Sequence, residues 1–121
     1  MEKVQRTWII ISGIMGFLAV AIGAFGAHGL EGRLSDKMME VYRTGVLYHL
    51  IHAAVLLAVA FYSTERFASS AWFFLAGIIL FSFSLYAYSL TGARIFAIIT
   101  PAGGVSFLIG WALIIVGAIK A

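Results

Sequence analysis

The stretch TGVLYHLIHAAVLLAVAFYST, Thr44 to Thr64, holds no Asp, Glu, Lys or Arg. A helix needs about 20 consecutive apolar residues to cross the hydrocarbon core of a bilayer, and this stretch has that length. Three similar stretches flank it. Thr7–Leu30, Phe67–Ala93 and Ile95–Ile119 are also free of formal charge, because the 8 Lys and Arg and 5 Asp and Glu fall only at 2–6, 31–43, 65–66, 94 and 120. Residues of the set AVILMFWYC make up 63% of the 121 residues and charged residues 11%, against about 45–50% apolar and about 25% charged in an ordinary soluble domain. A short chain in water leaves a large share of its surface wet, so this composition excludes a soluble monomer. Within lipid every backbone N–H and C=O must be satisfied inside the chain, and α-helices do this without an open edge. We therefore expect an all-α integral membrane protein, a four-helix bundle forming a single transmembrane domain over 1–121. The spans are expected at approximately 7–28, 44–64, 69–91 and 101–119, multi-pass in the cell (plasma) membrane.

The segments between the spans carry their own signals. Ser35 is placed to cap a helix over Asp36–Arg43, whose Met38, Val41 and Tyr42 share one apolar arc. A short interfacial helix between spans one and two is expected there, the other arrangement being an extension of the second span. Gly29 and Gly32 suit the break after span one, and Thr91-Gly92 the end of span three. Thr100-Pro101 reads as a helix cap and first helical position, or else a kinked helix runs from Ile95. Lys3 and Arg6 before an apolar run imitate a secretory signal. The run from Trp8 exceeds the roughly 7–15-residue core of such signals, so it is read as a span.

Four spans put both termini on one face, here face A, with the 31–43 connection and Arg94 on face B. Lys3, Arg6, Arg66 and Lys120 lie towards face A, and Arg33, Lys37, Arg43 and Arg94 towards face B. The positive-inside rule counts Lys and Arg near span ends and is balanced here. Glu31, Asp36 and Glu40 dilute face B, which tilts the expectation to cytoplasmic termini. The net charge of +3 is thus split between two faces and forms no nucleic-acid patch.

Small residues recur at helical spacing: Gly16, Gly23 and Gly26 in span one, Gly77 in span three, and Gly103, Gly110 and Gly117 in span four. Such stripes let helix backbones approach closely in lipid, so these glycines are expected to be packing surfaces. Phe17, Phe74, Phe81, Phe107 and Leu113 are then expected to face lipid or neighbouring subunits. Trp8 and Trp72 sit near span ends, where aromatic belts form, while Trp111 is mid-span and expected to pack.

The uncharged polar residues gather towards face B. A polar pocket is expected there from His28, Tyr48, His49, His52, Ser84, Tyr86 and Thr100. Tyr48 and His52 are four residues apart on one helix and His49 and His52 three, so two or three of these groups turn to one side. Three readings of the histidines stand side by side. They fasten the bundle by interhelical hydrogen bonds, they form a proton, ion or ligand site, or they bind metal. No Cys or nearby carboxylate completes a metal signature, so no metal and no cofactor are expected. The absence of Cys also excludes disulfides, iron–sulfur centres and thiol nucleophiles.

Four motifs in order along the chain carry a resemblance. Gly23-Ala24-Phe25-Gly26-Ala27-His28-Gly29-Leu30, Tyr48-His49-Leu50-Ile51-His52-Ala53, Ser84-Leu85-Tyr86 with Leu90-Thr91-Gly92, and Ile99-Thr100-Pro101-Ala102-Gly103-Gly104 with Gly110-Trp111 resemble the YwdK/YgdD family of small membrane proteins. That family is a domain of unknown function related to transmembrane protein 256. The resemblance covers nearly the whole chain and implies a four-span membrane protein without bringing an activity. It also implies a ranking, because in the family pattern the place of His49 can hold Gln whereas those of His28 and His52 are His.

Two functions follow from the residues. One is a small-solute or ion channel or transporter, a homo-oligomer because four helices hold little interior. The alternative is a non-transport accessory protein that binds membrane lipid or a larger membrane complex through its glycine-lined and aromatic faces. No Ser-His-Asp set, HExxH, phosphate loop or intramembrane carboxylate pair is present, so an enzyme is not expected.

Overall fold

The computed structural model describes all residues, 1–121. Four helical spans are long and apolar enough to cross a membrane, and there are no strands. Span one is α1 (Lys3–Phe25) continued by a π-helical turn, Gly26–Leu30; span two is α2 (Asp36–Tyr62). Span three is α3 (Glu65–Gly77), a π-helical segment (Ile78–Phe83) and α4 (Ser84–Thr91), and span four is α5 (Arg94–Ile119). Each span begins outside its charge-free run, because flanking Lys, Arg, Asp and Glu join the helix starts, where charged heads reach water.

The separate interfacial helix is corrected. Ser35 does cap a helix, its Oγ accepting from the Met38 amide at 3.2 Å, but that helix continues to Tyr62 without a break. Nothing between Arg43 and Gly45 stops it: Thr44 returns its hydroxyl to the Glu40 carbonyl, and Gly45 keeps helical backbone with its open side filled by Tyr86. Of the two arrangements around Pro101, the longer one holds, with α5 running through it from Arg94. Pro101 withdraws the amide that the Ala97 carbonyl would use. The turns are tight, with Gly32 and Gly92 at positive φ (79° and 70°) and Ser63 the one non-glycine residue there, at 49°.

α1 lies along α2, α2 along span three, and span three along α5. The core has two centres: Leu56, Ala71, Phe74, Ile78 and Phe107 towards face A, and Leu30, Met39, Tyr42 and Tyr86 towards face B. Phe74 and Phe107, expected to face lipid, are instead 0% and 4% exposed. Each ring fills the notch over a glycine of the opposite helix, Phe107 over Gly77 and Phe74 over Gly110. Phe17 faces outward, 75% exposed. Gly103 lies directly on the Leu80–Phe81 backbone, Gly26 under the Tyr42 ring, Gly23 beside Val46, and Gly117 under Phe67. Gly16 is corrected: nothing lies within 4 Å of the position its Cβ would take, because α1 turns that side away from the bundle.

Candidate functional site

The polar residues do not line one pocket. They form separate hydrogen-bonded pairs. His52, buried on α2, carries one partner on each ring nitrogen: the Tyr48 carbonyl lies 2.8 Å from Nδ1, and the Trp111 indole N–H donates to Nε2 at 3.1 Å. An indole N–H only donates and a carbonyl only accepts, so His52 is the neutral Nδ1–H tautomer. Its ring stacks on Phe107 with centroids 3.8 Å apart. Both nitrogens are thus committed to fastening α2 to itself and to α5.

His49, one turn away, is 0% exposed. Its Nδ1 is 2.8 Å from Tyr86 Oη, a bond in which the ring nitrogen donates or accepts according to the tautomer. Gly45, a turn earlier on α2, admits the Tyr86 ring: a Cβ there would stand 2.8 Å from Cε1. Ser84 Oγ and Thr100 Oγ1 join span three to α5 at 2.6 Å; one hydroxyl donates across that contact and the other donates to a carbonyl of its own helix, Phe81 for Ser84 or Phe96 for Thr100.

Two of the expected pocket residues lie elsewhere. His28 is exposed on the π-helical turn that ends span one, because Gly26 and Leu30 take the inward positions of that turn. Tyr48 is 41% exposed on the outer side of α2, its ring against Phe81 at 4.8 Å. Two participants escaped the sequence reading. Trp111 holds His52, and Tyr42 donates to the Ile22 carbonyl at 2.5 Å and ties α2 to α1. Ser82, one of the polar residues that gather towards face B, is buried at 0% on the π-helical segment. No three His, Asp or Glu side chains converge closely enough to hold a metal ion.

The open space lies outside the bundle. A groove of about 250 Å³ at face A runs between α1, the end of α2 and the start of α3. Trp8, Val59, Ala60, Ala68 and Ala71 make its apolar wall, and Glu2 and Glu65 stand at its polar end. Gln5 crosses its floor to the Ala60 and Phe61 carbonyls.

Comparison with known proteins places this architecture. A family model described as a protein of unknown function, DUF423, matches residues 22–104. This chain belongs to that family. It is 47% identical over 121 residues to the UPF0382 membrane protein YwdK of Bacillus subtilis, covering 96% of this chain and 98% of that protein. It is 45% identical over 122 residues to the UPF0382 inner membrane protein YgdD of Escherichia coli, covering 96% and 92%. A UPF0382 membrane protein of Staphylococcus epidermidis is 40% identical over 119 residues. No solved structure matches. The resemblance carried by the four motifs holds, and membrane residence follows for this DUF423 chain from its relatives' names and its own four apolar spans.

Proposed function

We propose that this DUF423 protein is a non-transport accessory protein of the cell membrane that holds a lipid chain in the groove at face A. The observation that carries the reading is the groove itself, an apolar trough with a polar end, lined by Trp8. Trp8 packs edge-on against Trp72 with centroids 4.9 Å apart, as an interfacial aromatic anchor does. A single-bundle pathway has less support, because His52, Ser84, Tyr86 and Thr100 are each closed on protein partners.

Ala68 is exposed on the groove wall and outside the core, so Ala68→Trp fills the trough without disturbing the fold. Native mass spectrometry of the protein released from lipid nanodiscs should show a retained phospholipid, and Ala68→Trp should reduce its occupancy at least several-fold. Retention that ignores Ala68→Trp refutes the groove. The second reading, a homo-oligomeric channel, draws on the open side of α1 at Gly13 and Gly16, which leaves room for another copy. Proton or solute flux through reconstituted protein would favour it over the accessory role.

A further inference from the structure

A second groove opens at the other end of the seam between span one and α2. It has a volume of about 230 Å³ at face B, between Gly23 and Ala27 of span one and Arg43, Val46, Leu47 and Leu50 of α2. The backbone of span one lies along α2 and no other span, and Ala27, Leu47 and Leu50 stay exposed on the open side of the seam. Gly23 lets the two helices touch, a Cβ there standing 3.1 Å from Val46 Cγ1. Ala27 fills little of the space beside that contact.

The groove changes character with depth. Arg43 bounds the charge-free run of α2 on the face B side, at the level of lipid headgroups, and Leu50 lies seven residues deeper, about 10 Å by helical rise. That depth is about two thirds of the roughly 15 Å of hydrocarbon in one leaflet. Arg43 is the only charged residue lining the groove, and no carboxylate does. The other polar side chain of the lining, Tyr42, spends its hydroxyl on the Ile22 carbonyl, so the guanidinium is the group left to meet a ligand. The groove at face A has the reverse charge, with Glu2 and Glu65 at its polar end and no Lys or Arg in its lining.

We propose that the face B groove binds one anionic phospholipid, with its phosphate on the Arg43 guanidinium and an acyl chain along residues 46–50 of α2. A guanidinium offers paired N–H donors that match two phosphate oxygens, and its aliphatic stem lies on apolar surface while the charged head stays at the interface. A net-negative headgroup is favoured over a zwitterionic one, whose own ammonium offsets the phosphate and is repelled by Arg43. The inference goes beyond the face A site and does not rest on it, since the two grooves are told apart by headgroup charge.

Native mass spectrometry after release from nanodiscs of equimolar phosphatidylcholine and phosphatidylglycerol tests it, because the two lipids differ in mass. The expected result is phosphatidylglycerol retained on the unaltered protein and lowered at least several-fold by Arg43→Gln, which removes the charge, and by Ala27→Phe, which fills the groove. Both residues are exposed, so neither change removes core packing. Lys37→Gln takes the same charge from the same face at a residue outside the groove, and Ala68→Trp fills the face A groove; both should leave phosphatidylglycerol retention unchanged. Absence of retained phosphatidylglycerol overturns the proposal, and so does an equal loss in Lys37→Gln, the mark of diffuse attraction to a charged face. Loss in Ala68→Trp assigns the lipid to face A and overturns it too, whereas phosphatidylcholine retention that ignores Ala68→Trp sinks only the face A reading. Should Ala27→Phe fail to fold, Arg43→Gln set against Lys37→Gln decides.

Discussion

Gly103 and Gly104 are neighbours on α5, and replacing each by Ala should have opposite effects. A Cβ on Gly103 would stand 2.6 Å from the Leu80 carbonyl carbon and 2.7 Å from Phe81 Cα, with the Phe81 amide nitrogen closer still. These are backbone atoms of the π-helical segment, so no side chain can swing aside. Carbon atoms rest about 3.5–4.0 Å apart, so the helices must part by about 1 Å. A gap of that size forfeits a quarter to a half of each contact's attraction along the seam, and overpacking of this kind costs about 1–3 kcal/mol. On Gly104 the nearest atom to a Cβ would be Phe81 Cδ2 at 3.8 Å, an ordinary contact. There the only effect is Ala's helix preference over Gly, up to about 1 kcal/mol in favour of the folded chain. Ala's helix preference applies equally at both positions and cancels, so Gly103→Ala should be about 1–3 kcal/mol less stable than Gly104→Ala. Unfolding in mixed micelles of dodecylmaltoside and SDS, followed by tryptophan fluorescence, measures the difference. Equal stability of the two variants would refute the close approach of α5 to span three.

Two further predictions concern the histidine and the topology. Trp111→Phe keeps the ring on Phe74 but removes the N–H that His52 Nε2 accepts, leaving a buried acceptor unpaired. The expected loss is about 1–2 kcal/mol in the same assay, between the mean for interhelical bonds in membranes and the full cost of an orphaned group; an unchanged unfolding midpoint would remove Trp111 from the site. Because the protein has no Cys, single cysteines report sidedness directly. His28→Cys and Arg94→Cys should react with an impermeant maleimide from outside intact cells, and Ser63→Cys only after lysis, if the termini are cytoplasmic. The reverse pattern inverts the orientation, and labelling of His28→Cys and Arg94→Cys from different sides would contradict the four-span order.

The spans were legible because crossing a bilayer is a one-dimensional requirement, set by where charge stops and resumes along the chain. Which face of each helix points inward was less legible, since lipid is as apolar as the core and removes the usual polar-outside contrast. Phe74 and Phe107 show this: nothing in their hydropathy separates them from Phe17, yet two are core and one is outside. Their burial comes from glycines on the facing helix, Gly110 and Gly77, a complementarity between residues more than twenty positions apart. Pro101 and the Ile78–Phe83 segment carried a related limit, because a π-helical turn depends on what packs against it. The turn brings the Leu80–Phe81 backbone against Gly103 and moves Ser82 out of its own helix's hydrogen bonding in one step.

The informative residues in the spans were the polar ones, for the inverse of the reason that governs water-soluble proteins. A serine or histidine facing lipid finds at most a carbonyl of its own helix as partner, which favours inward placement, and Ser12, His49, His52, Ser70, Ser82 and Ser106 are buried. Their number made a pocket towards face B a reasonable expectation, but number does not decide connectivity. Four of the expected residues sort into local pairs, His49 with Tyr86 and Ser84 with Thr100, and His52 with the unforeseen Trp111. A pathway needs polar groups that remain free to bind and release a passenger. Paired groups are spent on holding helices together. By that criterion the paired polar groups of the interior hold the bundle together, which is why the lipid sites we propose are grooves on its outer surface.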